Sequence, residues 1–153
     1  MMETDVTTHS LVGREKIVRL EESMRAYIQD NGLEPAECPV THHFAPGVYG
    51  REMLLPKDTV AVGKIHKHDH LVMIIKGHVS VATEDGVVEY HAPVVMSSKA
   101  GIKRVAYAHE DTIWVTIHVT NLTDLDEIEE YVIAKTYDEY DELETLRSTL
   151  CLG

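Results

Sequence analysis

The sequence predicts an all-β core with flanking helices, and three observations predict it. Between Val48 and Val119, runs of Val, Ile and Thr alternate with Gly, Pro and acidic turn pairs, the texture of short strands in a sandwich or barrel. Before that stretch, Ile17, Leu20, Met24, Tyr27 and Ile28 recur at helical spacing. After Asn121 the helical period returns, now in an acidic segment. The chain has 153 residues, 44% hydrophobic and 26% charged. That is enough for one domain with its own core, and it excludes a disordered or collagen-like chain.

The elements follow in order. Residues 1–12 read as a frayed end. An amphipathic helix covers Arg14 to Asp30 and stops at Asn31-Gly32. Leu33 to Gly47 carries Pro35, Pro39, Pro46 and Gly47 and reads as an extended connector, with His42-His43 as solvated loop. Strands are expected near 48–55, 59–68, 71–76, 78–83, 87–91, 93–97, 102–108 and 112–119. Pro56-Lys57-Asp58 and Lys76-Gly77 read as turns, and Glu84-Asp85-Gly86 and Glu110-Asp111 as hairpin connections. Eight short strands suit a jelly roll or small barrel. Thr123 with Asp126, and Thr136 with Glu139, have the spacing of capping boxes that open two helices. Their stripes, Leu125, Ile128, Tyr131 and Val132, then Tyr140, Leu143 and Leu146, must cover the barrel or a second subunit. The organisation is a tail, helix and connector over 1–47, a barrel over 48–120 and an acidic helical arm over 121–153.

Charge narrows the partners. Twenty-six acids against fourteen bases give −12, and residues 121–153 hold ten of the acids with only Lys135 and Arg147. Such a chain repels phosphate backbones and anionic bilayers, so neither nucleic acid nor membrane is expected as a partner. A local basic pocket for a small anion remains compatible with it. The polar, acid-bearing N-terminus has neither signal nor transit character. Two distant cysteines, Cys38 and Cys151, form no disulfide framework, which fits a reducing cytoplasm.

Histidine carries the chemistry. Seven of the ten, His66, His68, His70, His78, His91, His109 and His118, fall within 53 residues. In Gly63-Lys64-Ile65-His66-Lys67-His68-Asp69-His70, strand alternation would project Lys64, His66 and His68 from one face, with His70 just beyond. Two imidazoles one strand period apart can chelate a divalent metal, with Zn, Fe, Mn and Ni not distinguished. Third-ligand candidates are His118, His70 and His109. His118 shares a face with Trp114 and Thr116, in competition with the cleaner apolar set Ile113, Val115, Ile117 and Val119 for the interior. His78 and His91 read as surface residues flanking a hairpin, and Trp114 as a packing anchor.

Gly63, His66-x-His68 and Gly77 after a short apolar strand resemble the first motif of the cupins, and Ala100-Gly101 resembles the corner that opens the second. Pro93 and the strand leading into that corner fit as well. The resemblance covers about residues 48–119 and implies a cupin double-stranded β-helix (jelly-roll) barrel with a metal at its mouth. The wider run, from Tyr49-Gly50-Arg51-Glu52 through Glu110-Asp111-Thr112-Ile113-Trp114 to Ile117-His118, looks like small single-domain cupins encoded by tailed bacteriophages. Cupins pair commonly through their sheets, so the resemblance also implies a homodimer or higher homo-oligomer. Two positions depart from the motif. Val72 stands where a cupin places a ligand glutamate, and Arg104 where it places a ligand histidine.

Arg104 changes the expectation for the ligand. A guanidinium grips phosphate or carboxylate bidentately, although a pair with Glu52 or Glu89 would explain it equally. With Lys64 beside His66 and His68, and with Tyr49 and Arg51 alternating along an early strand, the mouth would be cationic and histidine-rich. The expected site uses His66, His68, His118 and Arg104 for chemistry, Lys64, Tyr49 and Arg51 for binding, and His66, His68, His118 and His70 for a metal. The expected ligand is a small anion, a nucleotide or sugar phosphate. The alternatives are a non-catalytic binder that sequesters a signalling nucleotide and a metal-independent histidine phosphodiesterase.

Overall fold

A computed structural model of the chain describes residues 3–150, with side chains over 13–149. Cys151 lies outside the described residues. The helix α1 runs Glu3–Asp30, well beyond the periodic stretch at its N-terminal end. It ends in a Schellman arrangement: Leu33 N–H donates to the Ile28 carbonyl and Gly32 N–H to that of Gln29, with Gly32 at φ +61°.

Ten strands follow: β1 (Val40–Ala45), β2 (Val48–Leu55), β3 (Val60–Val62), β4 (Ile65–His66), β5 (His70–Lys76), β6 (His78–Thr83), β7 (Gly86–His91), β8 (Val94–Ser98), β9 (Val105–Ala108) and β10 (Thr112–Val119). The chain closes with α2 (Leu125–Val132), β11 (Ile133–Ala134) and α3 (Tyr137–Leu150). A five-stranded antiparallel sheet has the order β1-β2-β10-β5-β8, and a four-stranded one β3-β9-β6-β7. The third, β11-β4, ties the C-terminal arm to the strand of His66. Alternation along each strand sends Leu55, Val72, Ile74, Trp114, Val79, Val81, Ala106 and Ala108 into one core.

Several expectations are corrected. The connector contains a strand: β1 pairs with β2 from Val40↔Met53 to Ala45↔Val48 and extends the large sheet. The expected strand 59–68 is two short ones that take different partners, β3 pairing with β9 and β4 with β11. Glu110-Asp111 is not a hairpin, since β9 and β10 lie in different sheets and the chain crosses between them. Glu84-Asp85 does close a hairpin, with Thr83 opposite Gly86. The cap of α2 is Asp124, which accepts from Glu127 N–H, and not Thr123. At α3 the Thr136 hydroxyl accepts from Glu139 N–H, while the Glu139 carboxylate accepts from Lys135 N–H.

The arm packs on the sheets. Ile128 and Val132 bury against Tyr49, and Ala134 and Tyr140 against Ile65. Gly101, at φ +82°, makes room for this: a Cβ there would sit 2.5 Å from the Tyr140 ring. No helix among the described residues is long and apolar enough to cross a membrane.

Candidate functional site

A cavity of about 440 Å³ opens between the two sheets and beneath α2. Its floor is apolar, from Met53, Leu55, Val72, Ala106 and Trp114. Its polar wall draws on several strands, one loop and α2. β2 supplies Tyr49 and Arg51, β4 supplies His66, β5 supplies His70 and β10 supplies Thr116 and His118. Arg104 enters from the segment before β9, and Lys64 stands near the rim.

His66, His70 and His118 form a triangle of imidazoles. Ring centroids are 4.2 Å apart for His66–His70, 4.8 Å for His70–His118 and 5.3 Å for His66–His118. His70 Nδ1 donates to the His68 carbonyl at 3.1 Å, so its Nε2 carries the lone pair. His66 Nδ1 is buried without a hydrogen-bond partner. Burial depresses all three, with neighbouring histidines and arginines adding to it for His66 and His118 and Arg104 for His70. His66 falls to about 2 and His118 to about 4, so both are neutral imidazoles at neutral pH.

The two guanidiniums complete the wall. No carboxylate among the described residues lies within 4.0 Å of Arg104 or Arg51. Glu52 faces His43, and Glu89 faces His78, so neither of the pairings weighed for Arg104 forms. Burial lowers the Arg104 pKa, yet an arginine at any such position stays charged. Arg51 donates to the Met53 sulfur at 3.7 Å. Lys64 is instead paired with Glu129 of α2, across the mouth.

The expectation that His66 and His68 share a face is overturned. β4 ends at His66 and the chain bends at Lys67-His68, so alternation does not carry through. His68 packs at a tilt against Tyr131 at 4.7 Å, and Arg147 approaches its Nδ1 at 3.3 Å, both outside the cavity. His70 takes the interior place. His109 lies on the far side of the small sheet, beside His78. His118 faces in with Trp114 and Thr116, while Ile113, Val115 and Ile117 face out. The sequence reading missed His42, whose Nδ1 shares a 2.7 Å hydrogen bond with the Tyr49 hydroxyl. The alternation Val40, His42, Phe44 against Thr41, His43 was its only signal.

Among the described residues, one set of three His, Cys, Asp or Glu has ligand atoms all within 4.8 Å of one another: His78, Glu89 and His91, outside the cavity. A His/Glu group that could hold a metal is therefore present, separate from the cavity triangle.

No family model matches the chain, and no curated protein does. Solved structures do. A variant of salicylate 1,2-dioxygenase from Pseudoaminobacter salicylatoxidans superposes with a TM-score of 0.52 at 7% identity, covering 72% of this chain and 34% of that one. A cupin superfamily protein from Desulfitobacterium hafniense gives 0.49 at 10% identity, over 56% of this chain and 80% of that one. A cupin domain from Bordetella pertussis gives 0.46 at 17%, over 57% and 98%. Identities at this level speak to fold alone. The chain is similar to these structures in fold: two facing antiparallel sheets, which do not close into the expected barrel, with one N-terminal helix and helices at the C-terminal end.

Proposed function

We propose that the chain takes a small anionic molecule, a nucleotide or sugar phosphate, into the cavity between its sheets, and acts on it there. The observation that carries this is the pair of guanidiniums, Arg51 and Arg104, without carboxylate partners in the wall of a protein of net charge −12. An unpaired, half-buried guanidinium is costly unless an anion completes it, and its planar fork suits phosphate or carboxylate. A volume of about 440 Å³ lies within the ordinary range of small-molecule sites. The apolar floor, with Trp114, offers a surface for a base or sugar face.

The buried, unpartnered His66 Nδ1 and the directed lone pair of His70 Nε2 suit a metal, and His66, His70 and His118 would hold it. A divalent ion would supply Lewis-acid polarisation of a ligand oxygen. The chain's own residues do the rest: Arg104 and Arg51 bind and orient the anion. Without a metal, His118, buried in the wall beside Thr116, is the candidate for proton transfer.

The test uses untagged protein. It is incubated with a panel of nucleotides and sugar phosphates, with and without chelator, and the bound molecule is recovered after denaturation. A changed product supports an enzyme, and its persistence in chelator supports the metal-independent route. Intact recovery supports a sequestering protein. No retention of any anion, or equal retention by R51M/R104M protein, overturns the reading.

The same reading includes a homodimer or higher oligomer. It is supported by the outer face of the large sheet, where Leu71, Ile75 and Val95 are exposed beside Met73, Val115 and Ile117. Sedimentation checks it: the parent chain runs as an oligomer and V115K/L71K protein as a monomer, and a monomeric parent overturns it.

A further inference from the structure

The β6–β7 hairpin carries a second histidine cluster, on the opposite side of the small sheet from the cavity. His78 lies directly across from His91, and Ser80 across from Glu89. Residues two apart on a strand share a face, so His78 and Ser80 project with Glu89 and His91. Val79 and Val81, between them, are buried, which fixes the histidine face as the outer one. The ligand atoms of His78, Glu89 and His91 all lie within 4.8 Å of one another. The rings of His78 and His91 stack at 3.9 Å, and Glu89 is paired with His78 Nε2.

A third imidazole arrives from the neighbouring strand. His109 N–H donates to the His78 carbonyl at 2.9 Å, which seats His109 at the end of β9. Its ring lies 4.3 Å from that of His78, and its Nε2 is held by the Ser80 hydroxyl at 2.6 Å. Tyr107 packs edge-on against it at 4.9 Å.

We infer that His78, Glu89 and His91 form a binding site for a divalent transition ion of the zinc class on the outer face of the small sheet, with His109 beside it. Imidazole and carboxylate donors suit such an ion, and two histidines with one carboxylate leave a position for water. Tetrahedral ligand atoms around zinc stand about 3.3 Å apart given bond lengths near 2.0–2.1 Å, so small rotations of exposed side chains close the set. The ladder between β6 and β7 holds the Cα positions, so little ordering remains to be done on binding. The site is independent of the cavity, and it pins β7, the edge strand of its sheet, to β6.

Zinc is titrated into untagged, metal-stripped protein by calorimetry, alongside E89Q/H91A and H66A/H118A proteins. Circular dichroism shows whether each variant is folded. The parent and H66A/H118A proteins both bind zinc at the outer site, and E89Q/H91A loses one equivalent. A zinc-induced rise in Tm accompanies binding and shrinks in E89Q/H91A. Cobalt(II) gives an independent readout, as visible absorption in the parent that falls in E89Q/H91A. An isotherm and cobalt spectrum unchanged by E89Q/H91A overturn the inference. Loss of all binding in H66A/H118A alone places the ion in the cavity and overturns it too. Failure of the cavity reading leaves the outer equivalent in place, so the two outcomes are separable.

Discussion

Arg104 enters the cavity from just before β9 with no carboxylate in reach, and its charge helps to hold His66 and His70 neutral. A charge-assisted hydrogen bond contributes roughly 1.5–3 kcal/mol, so R104M should weaken anion binding roughly 10- to 100-fold. Calorimetry with a phosphate-bearing ligand reads this, and unchanged affinity places the anion elsewhere. His118 and His66 make a second prediction. Their pKa values in the folded chain, about 4 and about 2, lie below that of an unfolded histidine near 6.5. The unfolded chain therefore takes up protons first as the pH falls. Stability is full above about pH 6.5 and declines from there toward the folded values, by on the order of 2 kcal/mol for His118 by pH 4.5. Urea melts in chelator measure the slope. H118Q protein should lose part of it, and an equal slope in parent and variant refutes the assignment. At this scale the sequence was half legible. His66, Arg104, Arg51 and Tyr49 line the cavity where the sequence expected them, and so does His118, whose face the sequence had left open. His68 does not, because the bend at Lys67-His68 is a backbone event that alternation alone does not reveal.

The elements explain why the wall is built as it is. β10 looks inverted: its polar-seeming set, Thr112, Trp114, Thr116 and His118, is buried, while Ile113, Val115 and Ile117 face outward. A strand that lines a polar cavity hides hydroxyl and imidazole groups, and so hydrophobic alternation points the wrong way. β1 was concealed differently. Pro39 and Pro46 bracket it, and proline near a strand reads as loop, yet an edge strand tolerates proline at its ends. β11, at two residues, is too short to show any period. The arm depends on Gly101 and Tyr140. G101A should destabilise the chain by more than about 1 kcal/mol, from positive φ and from the clash with the ring. G101A/Y140A should remove the clash, leaving the φ cost and the lost packing. Limited proteolysis of residues 137–149 should speed up in the first variant. Equal protection in parent and G101A would show that the arm does not rest on this contact.

On the scale of the whole molecule, charge is segregated. The acids concentrate in α2 and α3, and α2 brings Asp126 and Glu129 to the cavity, while the inner wall holds arginines. The Lys64–Glu129 pair stands at the boundary. The general fold was readable from texture, since helix, strands and acidic helices follow the sequence in that order. How the arm docks was not, because Lys67, Arg147 and Tyr140 meet partners far along the chain. This layering reverses the usual effect of ionic strength on encounter. An anionic ligand diffusing toward the protein first meets a repulsive field and feels the guanidiniums only at close quarters. Added electrolyte shortens the Debye length from about 30 Å at 0.01 M to about 10 Å at 0.1 M, which mutes the distant repulsion before it reaches the contact attraction. Association followed by stopped flow should therefore accelerate with salt, and E129Q should flatten that dependence.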